Sequence, residues 1–316
     1  QEEMERLSSL PAETKDGHKF ELAANVGNLE DIRQAIQYQI DGVGLFRSEF
    51  LYMESKQFPS EEEQFAVYSE AAKLLNGKEL TIRTLDIGGD KGLDYFTFPE
   101  EENPFLGYRA IRMCLDKAEI FRTQLRALLR AGCYGNIRIM YPMMVSLLEL
   151  KEANKILEEC KKELKEEQIE FDETVQVGMM IETPAAVMQA EDFAKYVDFF
   201  SIGTNDLTQY ILAVDRGNQK VSHLYESFHP AVLRAISHTI KAGHKEHIKV
   251  GMCGEFAGDE RAVTLLLGMG LDEFSMSAAE VSRVKYELRD CEYAKAAILA
   301  EQVLQAETID AVKKML

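Results

Sequence analysis

The chain has 316 residues, 46% hydrophobic and 28% charged, with a formal net charge of −18 at pH 7. These are the proportions of a soluble globular protein with one large core or two modest ones. The acidic balance counts against nucleic acid or an anionic membrane as the main partner, and no apolar run approaches the roughly 18–20 residues that span a bilayer.

In chain order, residues 1–17 read as a helical linker or cap ahead of the first strand. Residues 18–316 then alternate strand-like apolar runs with amphipathic stretches. The predicted strands are Phe20–Val26, Gly42–Phe46, Leu80–Leu85, Ile137–Tyr141, Val175–Ile181, Phe199–Ile202, Ile248–Met252 and Glu273–Met276. Several are nearly continuous apolar runs, as parallel strands buried on both faces require.

Helices fill the gaps. Leu29, Ile32, Ile36 and Ile40 mark the first face after Asn28 as cap, and Ser60 with Glu63 signals the next start. Asp116 with Glu119 is expected to open another helix. Ser146 with Glu149 opens a long charged one, whose end (Lys161–Glu170) reads as solvated, and Thr183 and Pro184 read as N-cap and first residue of a further helix. Later helices are predicted near Leu207, Pro230, Asp259 and Ala278. Eight strands alternating with helices predict an α/β fold, a closed (β/α)8 TIM barrel, with an open doubly wound sheet as the alternative.

The five cysteines (Cys114, Cys133, Cys160, Cys253 and Cys291) are odd in number, widely spaced and without C-x-x-C. They point away from disulfides or structural zinc and toward a reducing, cytoplasmic setting. The start, Gln1 to Arg6, does not read as a signal peptide. Its first residue, glutamine and not methionine, suggests a piece of a longer chain.

In a barrel, chemistry gathers at the C-terminal strand ends. The residues there are Asn25; Arg47 and Glu49; Arg83 and Asp86; Tyr141; Glu182; Asn205 and Asp206; Cys253 and Glu255; and Ser275 and Ser277. Glu182 and Asp206 end adjacent strands, and two carboxylates with substrate oxygens and waters suit Mg2+. Arg47, Arg83 and Arg216 offer guanidinium forks for phosphate. Lys91 and Arg109 follow in glycine- and proline-marked loops. Gly88-Gly89-Asp90-Lys91-Gly92 lacks the Walker pattern and reads as a flexible active-site loop. The block from Gly203 through Asp206 combines a helix start, where free N–H groups bind anions, with a metal-capable acid. Cys253, in Gly-Met-Cys-Gly-Glu after a buried strand, is either an inert buried thiol or a proton donor or acceptor. The six histidines lie in loop or helix patterns, and none reads as a phosphate acceptor.

The motifs Gly44–Leu51 (GLFRSEFL), Arg83–Lys91 (RTLDIGGDK), Ile181–Pro184 (IETP), Ser201–Tyr210 (SIGTNDLTQY), Ala213–Asn218 (AVDRGN) and Gly251–Glu255 (GMCGE) closely resemble enzyme I of the bacterial phosphotransferase system, in that family's order over essentially the whole chain. The Gly-Thr-Asn-Asp-Leu-Thr-Gln block is shared with the barrels of pyruvate phosphate dikinase and phosphoenolpyruvate synthase.

The resemblance implies a phosphoenolpyruvate-binding domain that uses Mg2+ and forms a homodimer. Glu182 and Asp206 would hold the metal. Arg47, Arg83, Asn205, Asp206, Arg216, Lys91 and Arg109 would hold the substrate, and Cys253 would donate a proton. It also implies phosphoryl transfer to a histidine on an N-terminal domain not present in this sequence, and through it to the carrier protein HPr, releasing pyruvate. This chain alone is expected to be incompetent for that transfer. A dikinase or synthase barrel, or a metal-dependent lyase, is the alternative within enzymes, and a dimerisation and regulatory module is the alternative outside them.

Overall fold

The computed structural model describes residues 2–316, without the side chain of Met4. Eight parallel strands close into a barrel in chain order: β1 (Glu21–Val26), β2 (Gly42–Arg47), β3 (Glu79–Arg83), β4 (Asn136–Tyr141), β5 (Gln176–Ile181), β6 (Phe199–Ile202), β7 (Lys249–Met252) and β8 (Glu273–Met276). β8 pairs with β1, so no edge remains and the open sheet is excluded. Each strand lies within two residues of its expected bounds, because strands buried on both faces leave long apolar runs in the sequence. The (β/α)8 barrel is therefore established.

Local start signals explain most of the helices. Asn28 accepts from the Asp31 N–H at 2.8 Å, and Ser60 from the Glu63 N–H at 3.1 Å. Ser146 and Glu149 cap reciprocally at the head of helix Leu147–Glu166, and Thr183 caps Pro184–Met188.

Two expectations fail, and two are refined. Asp116 ends helix Ile111–Asp116 and does not open the next one; its carboxylate accepts from the Tyr108 hydroxyl, and the chain breaks at Lys117 before Ala118–Ala131. The helix expected near Asp259 starts only at Val263, after a 3-10 turn over Glu255–Gly258, whereas the one expected near Leu207 is present and begins at Thr204. The end of Leu147–Glu166 is largely exposed, as expected, and within it Glu163 and Glu167 also pair with Arg126. Of the predicted extension 1–17, Gln1 lies outside the described residues; Glu2–Ser8 is helical, and the Lys285 ammonium donates to the Ser8 carbonyl at 2.8 Å.

The main core fills the shell between strands and helices. The inside of the barrel is layered differently. At its floor, the Lys249 ammonium sits among Glu21 (2.9 Å), Glu79 (2.7 Å) and Glu273 (3.3 Å), each the first residue of its strand. Contacts joining β1, β3, β7 and β8 must cross the barrel axis. Arg138 adds to this plug through Glu79 and Thr81 and stacks on Phe199, 4.2 Å from the ring centre. Above lies a separate apolar cluster of Leu45, Met140, Met180, Phe199 and Cys253. The C-terminal rim lies beyond it.

Candidate active site

Each strand delivers its last residues to the rim, where the chain turns from sheet to helix and the polar side chains collect. Arg47 and Arg83 end β2 and β3, Glu182 follows β5, Asn205 and Asp206 begin helix Thr204–Leu212 after β6, and Cys253 follows β7. Arg47, Arg83, Lys91, Arg109, Glu182, Asn205, Asp206, Arg216 and Cys253 all line one cavity of about 110 Å³. All nine sequence-predicted site residues are therefore brought together. A hollow of about 590 Å³ adjoins it, sharing Arg47, Asn205, Cys253 and Gly254.

The charges are arranged as pairs. Arg83 reaches Glu49 at 2.6 Å and Asp86 at 3.4 Å, and Arg109 reaches Asp86 at 3.0 Å and Asp206 at 3.5 Å. Lys91 donates to Glu49 at 2.6 Å, and Arg216 lies 3.8 Å from Asp206. Burial works against the charge on Arg83, but Glu49, Asp86 and Glu182 more than offset it and raise its pKa. Burial likewise opposes ionisation of Asp86, yet Arg83, Arg109 and Lys91 hold it below the usual carboxylate range.

Arg47 differs. Burial, then the neighbouring Arg83 charge, lower its pKa. Among the described residues, Arg83 Nε, Arg109 Nε and Arg216 Nη1 are buried donors with no acceptor. Buried donors are almost always satisfied, and these three belong to arginines that line one cavity, so the donor capacity around it exceeds what the protein's own acceptors use, as an anion site would.

The acids make the opposite argument. Burial, then the charges of Asp206 and Asp86, push the Glu182 carboxyl up to about 8. One of its oxygens is already fixed, accepting from the Met143 N–H at 2.7 Å. The other faces Gly203, where an added Cβ would lie 2.9 Å away. This crowding of negative charge suits a divalent cation, and Mg2+ keeps waters and takes only one or two protein carboxylates. Among the described residues, the one cluster of three carboxylates close enough to share an ion is Glu21, Glu79 and Glu273 at the floor, where Lys249 already sits. The rim pair is the better fit for a cation shared with a ligand.

These charges set a pH dependence. The unfolded chain loses the Glu182 proton near pH 4.3, the folded chain at about 8. Between the two, the folded state holds more protons, so stability falls as pH rises, and the penalty is absent below the unfolded value. Without added cation, Glu182→Gln should therefore melt above the unmodified chain at pH 8, with the gap closing toward pH 4. A gap independent of pH in thermal melts would refute this.

Cys253 is 4% exposed. Burial raises its pKa, partly countered by Ser201 and Arg83. It is therefore a thiol at neutral pH, suited to giving a proton. Other rim residues sit differently from expectation. The Tyr141 hydroxyl points out of the barrel and donates to Asn154 at 3.1 Å. Asn205 spends its side-chain oxygen on the Glu255 N–H at 3.3 Å. Gly88 and Lys91 exchange backbone bonds of 2.8 and 3.1 Å, which close the glycine-rich segment into a turn at the cavity. His244 is held by Asp272 at 2.7 Å at the opposite end of the barrel.

Glu49 and Asp86, which the sequence marks only as polar strand ends, pair with and orient the arginines, and Phe105 and Met180, which the sequence did not single out, also line the cavity. An acid two or three residues after each strand-ending arginine was the available signal for the first two.

A closed barrel with this rim is the architecture of an α/β-barrel enzyme. Residues 1–293 match the family described as PEP-utilising enzyme, PEP-binding domain, and the chain belongs to that family. It is 53% identical over 306 residues to the phosphoenolpyruvate-protein phosphotransferase of Haemophilus influenzae, covering 97% of this chain and 53% of that protein. It is 50% identical over 310 residues to the protein of that name from Bacillus subtilis, covering 98% of this chain and 54% of the relative. The chain thus spans about half the length of the curated relatives it matches. Two solved structures share only the fold. A malate synthase from Haloferax volcanii has a TM-score of 0.54 at 12% identity over 84% of this chain and 72% of that one. A citrate lyase from Burkholderia xenovorans has a TM-score of 0.52 at 14% identity over 94% and 90%. No helix among the described residues is long and apolar enough to cross a membrane.

Proposed function

We propose that residues 18–316 bind phosphoenolpyruvate with Mg2+ and support transfer of its phosphoryl group to a histidine on a separate N-terminal domain, releasing pyruvate, with residues 1–17 as the linker. The observation that carries this is the single cavity in which arginines with orphaned donors face two crowded carboxylates and a neutral thiol. Arg47, Arg83, Arg109 and Arg216, with Lys91, bind the phosphoryl and carboxylate oxygens. Each such charge contact at ~4 Å is worth about 4 kcal/mol at an effective dielectric near 20, before desolvation. Together they overcome the acidic field of the chain.

Asn205 and the backbone N–H groups at the start of helix Thr204–Leu212 orient the substrate. Glu182 and Asp206 would hold Mg2+, which when bound would neutralise the pair and help withdraw charge from the substrate oxygens. As the incoming imidazole nitrogen bonds to phosphorus, the bond from phosphorus to the enol oxygen breaks and its electron pair stays on that oxygen. The Cys253 thiol then gives its proton to the methylene carbon, completing pyruvate.

Through that histidine the phosphoryl group would pass to HPr, as the first step of a cytoplasmic sugar-uptake relay. The test is direct. Given phosphoenolpyruvate, Mg2+ and HPr, this chain should bind substrate yet leave HPr unphosphorylated until a histidine-bearing N-terminal domain is added. Transfer without that domain would overturn the division of labour.

Homodimer formation belongs to the same reading. An apolar hollow of about 300 Å³ beside the mouth includes Phe105, Leu106, Val145 and Pro184. Leu106, Leu148 and Met188, on and around it, are 63%, 78% and 82% exposed, an apolar area that a second copy would cover. Sedimentation should show a dimer tightened by phosphoenolpyruvate with Mg2+; a ligand-insensitive monomer would count against it.

A further inference from the structure

The active cysteine is held by more than its own strand. The Cys253 N–H donates to the Ile202 carbonyl of β6 at 3.1 Å. Its carbonyl oxygen accepts from the Asn25 side-chain N–H, on β1, at 2.8 Å. The orientation of that amide is set in turn by Ser275 of β8, whose hydroxyl donates to Asn25 Oδ1 at 2.6 Å. Ser275 is 1% exposed. With its oxygen occupied, the Asn25 amide can only present its nitrogen to Cys253.

Two features of the barrel make room for this chain of contacts. The β1–β2 ladder slips at this point: Ala24 pairs with Val43 but Asn25 with Leu45, so Gly44 is passed over. Such irregularities re-aim side chains next to active sites. Gly44 also tolerates no side chain, since an added Cβ would stand 2.4 Å from Ser275 Oγ and 2.6 Å from Ser275 Cβ.

We infer that Asn25, oriented by Ser275, is a positioning residue for Cys253: it fixes the cysteine backbone so that the thiol meets the methylene carbon of the substrate. The inference rests on the proton-donor role of Cys253 given above. Asn25 also borders the larger hollow and does not line the smaller cavity that holds the arginine pairs, so it can act on the thiol without touching the phosphoryl subsite.

The experiment follows exchange of the pyruvate methyl hydrogens with D2O by NMR in the presence of Mg2+, alongside pyruvate affinity. Asn25→Asp keeps the size and the acceptor for Ser275 but loses the donor to Cys253. It should slow exchange at least ten-fold at pH 8 with affinity unchanged. As pH falls and the new carboxyl takes up a proton, it regains a donor, and its rate should recover relative to the unmodified chain at the same pH. Ser275→Ala, which frees the amide to turn, should also slow exchange, and Asn25→Asp combined with Cys253→Ala should be no slower than Cys253→Ala alone.

An unmodified rate in Asn25→Asp, or a slowing that comes with lost affinity and ignores pH, overturns the positioning role and leaves the thiol in place. If Cys253→Ala exchanges normally, the donor role and this inference fall together.

Discussion

Replacing Cys253 by alanine should leave phosphoenolpyruvate binding intact and slow protonation of the product enolate by about 10²–10⁴-fold, the usual contribution of one positioned acid. Alanine removes the sulfur and little else. None of the ion pairs at the rim uses the thiol, so the anion-binding surface is retained. The thiol itself is well placed to act. It is buried and held neutral by that burial, while Arg83 and Arg47 temper the shift. A thiolate would be the wrong species, because it has no proton to give. Hydrogen exchange at the methyl group of pyruvate reports the step in reverse and needs no phosphoryl acceptor. Exchange at the unmodified rate would exclude the role.

Replacing Asp206 by alanine is the second large effect. Titration calorimetry should show phosphoenolpyruvate affinity no longer responding to Mg2+, a loss of up to about 10³-fold if one close charge contact is worth about 4 kcal/mol. Asp206 is also the partner of Arg109 and Arg216. Its removal frees both guanidiniums, so residual binding of the anion without metal should persist. That combination, metal dependence gone and anion binding kept, separates a cation ligand from a residue that merely holds the fold. Affinity in Mg2+ equal to that of the unmodified chain would remove Asp206 from the metal's surroundings.

The barrel was legible because its period is written in burial. β5 and β6 are apolar at nearly every position, and a strand covered on both faces must be. The rim was legible for the complementary reason: a charged residue directly after such a run, such as Glu182 or Arg83, is where solvent or a ligand must lie. Helix starts were harder to place. A cap signal is two residues long, and Asp116 with Glu119 has the right letters while Tyr108, eight residues back, claims the carboxylate. The floor of the barrel was hidden altogether. Glu21, Glu79, Lys249 and Glu273 are far apart in sequence, and each alone looks like an ordinary charged strand start. Only closure of the sheet makes them neighbours. Asn25 and Ser275 were visible as polar strand ends, but Asn25 lies 228 residues from Cys253 and 250 from Ser275, so the chain of contacts had no local sign.

The ionic plug under the rim makes the barrel a blind well. Lys249 and Arg138 with their acids, and the Phe199 ring above them, stop the axis from below. Whatever enters at the top must leave by the same door. A spent molecule at the bottom therefore has to depart before a fresh one can sit down, and anything parked over the opening imprisons what lies beneath.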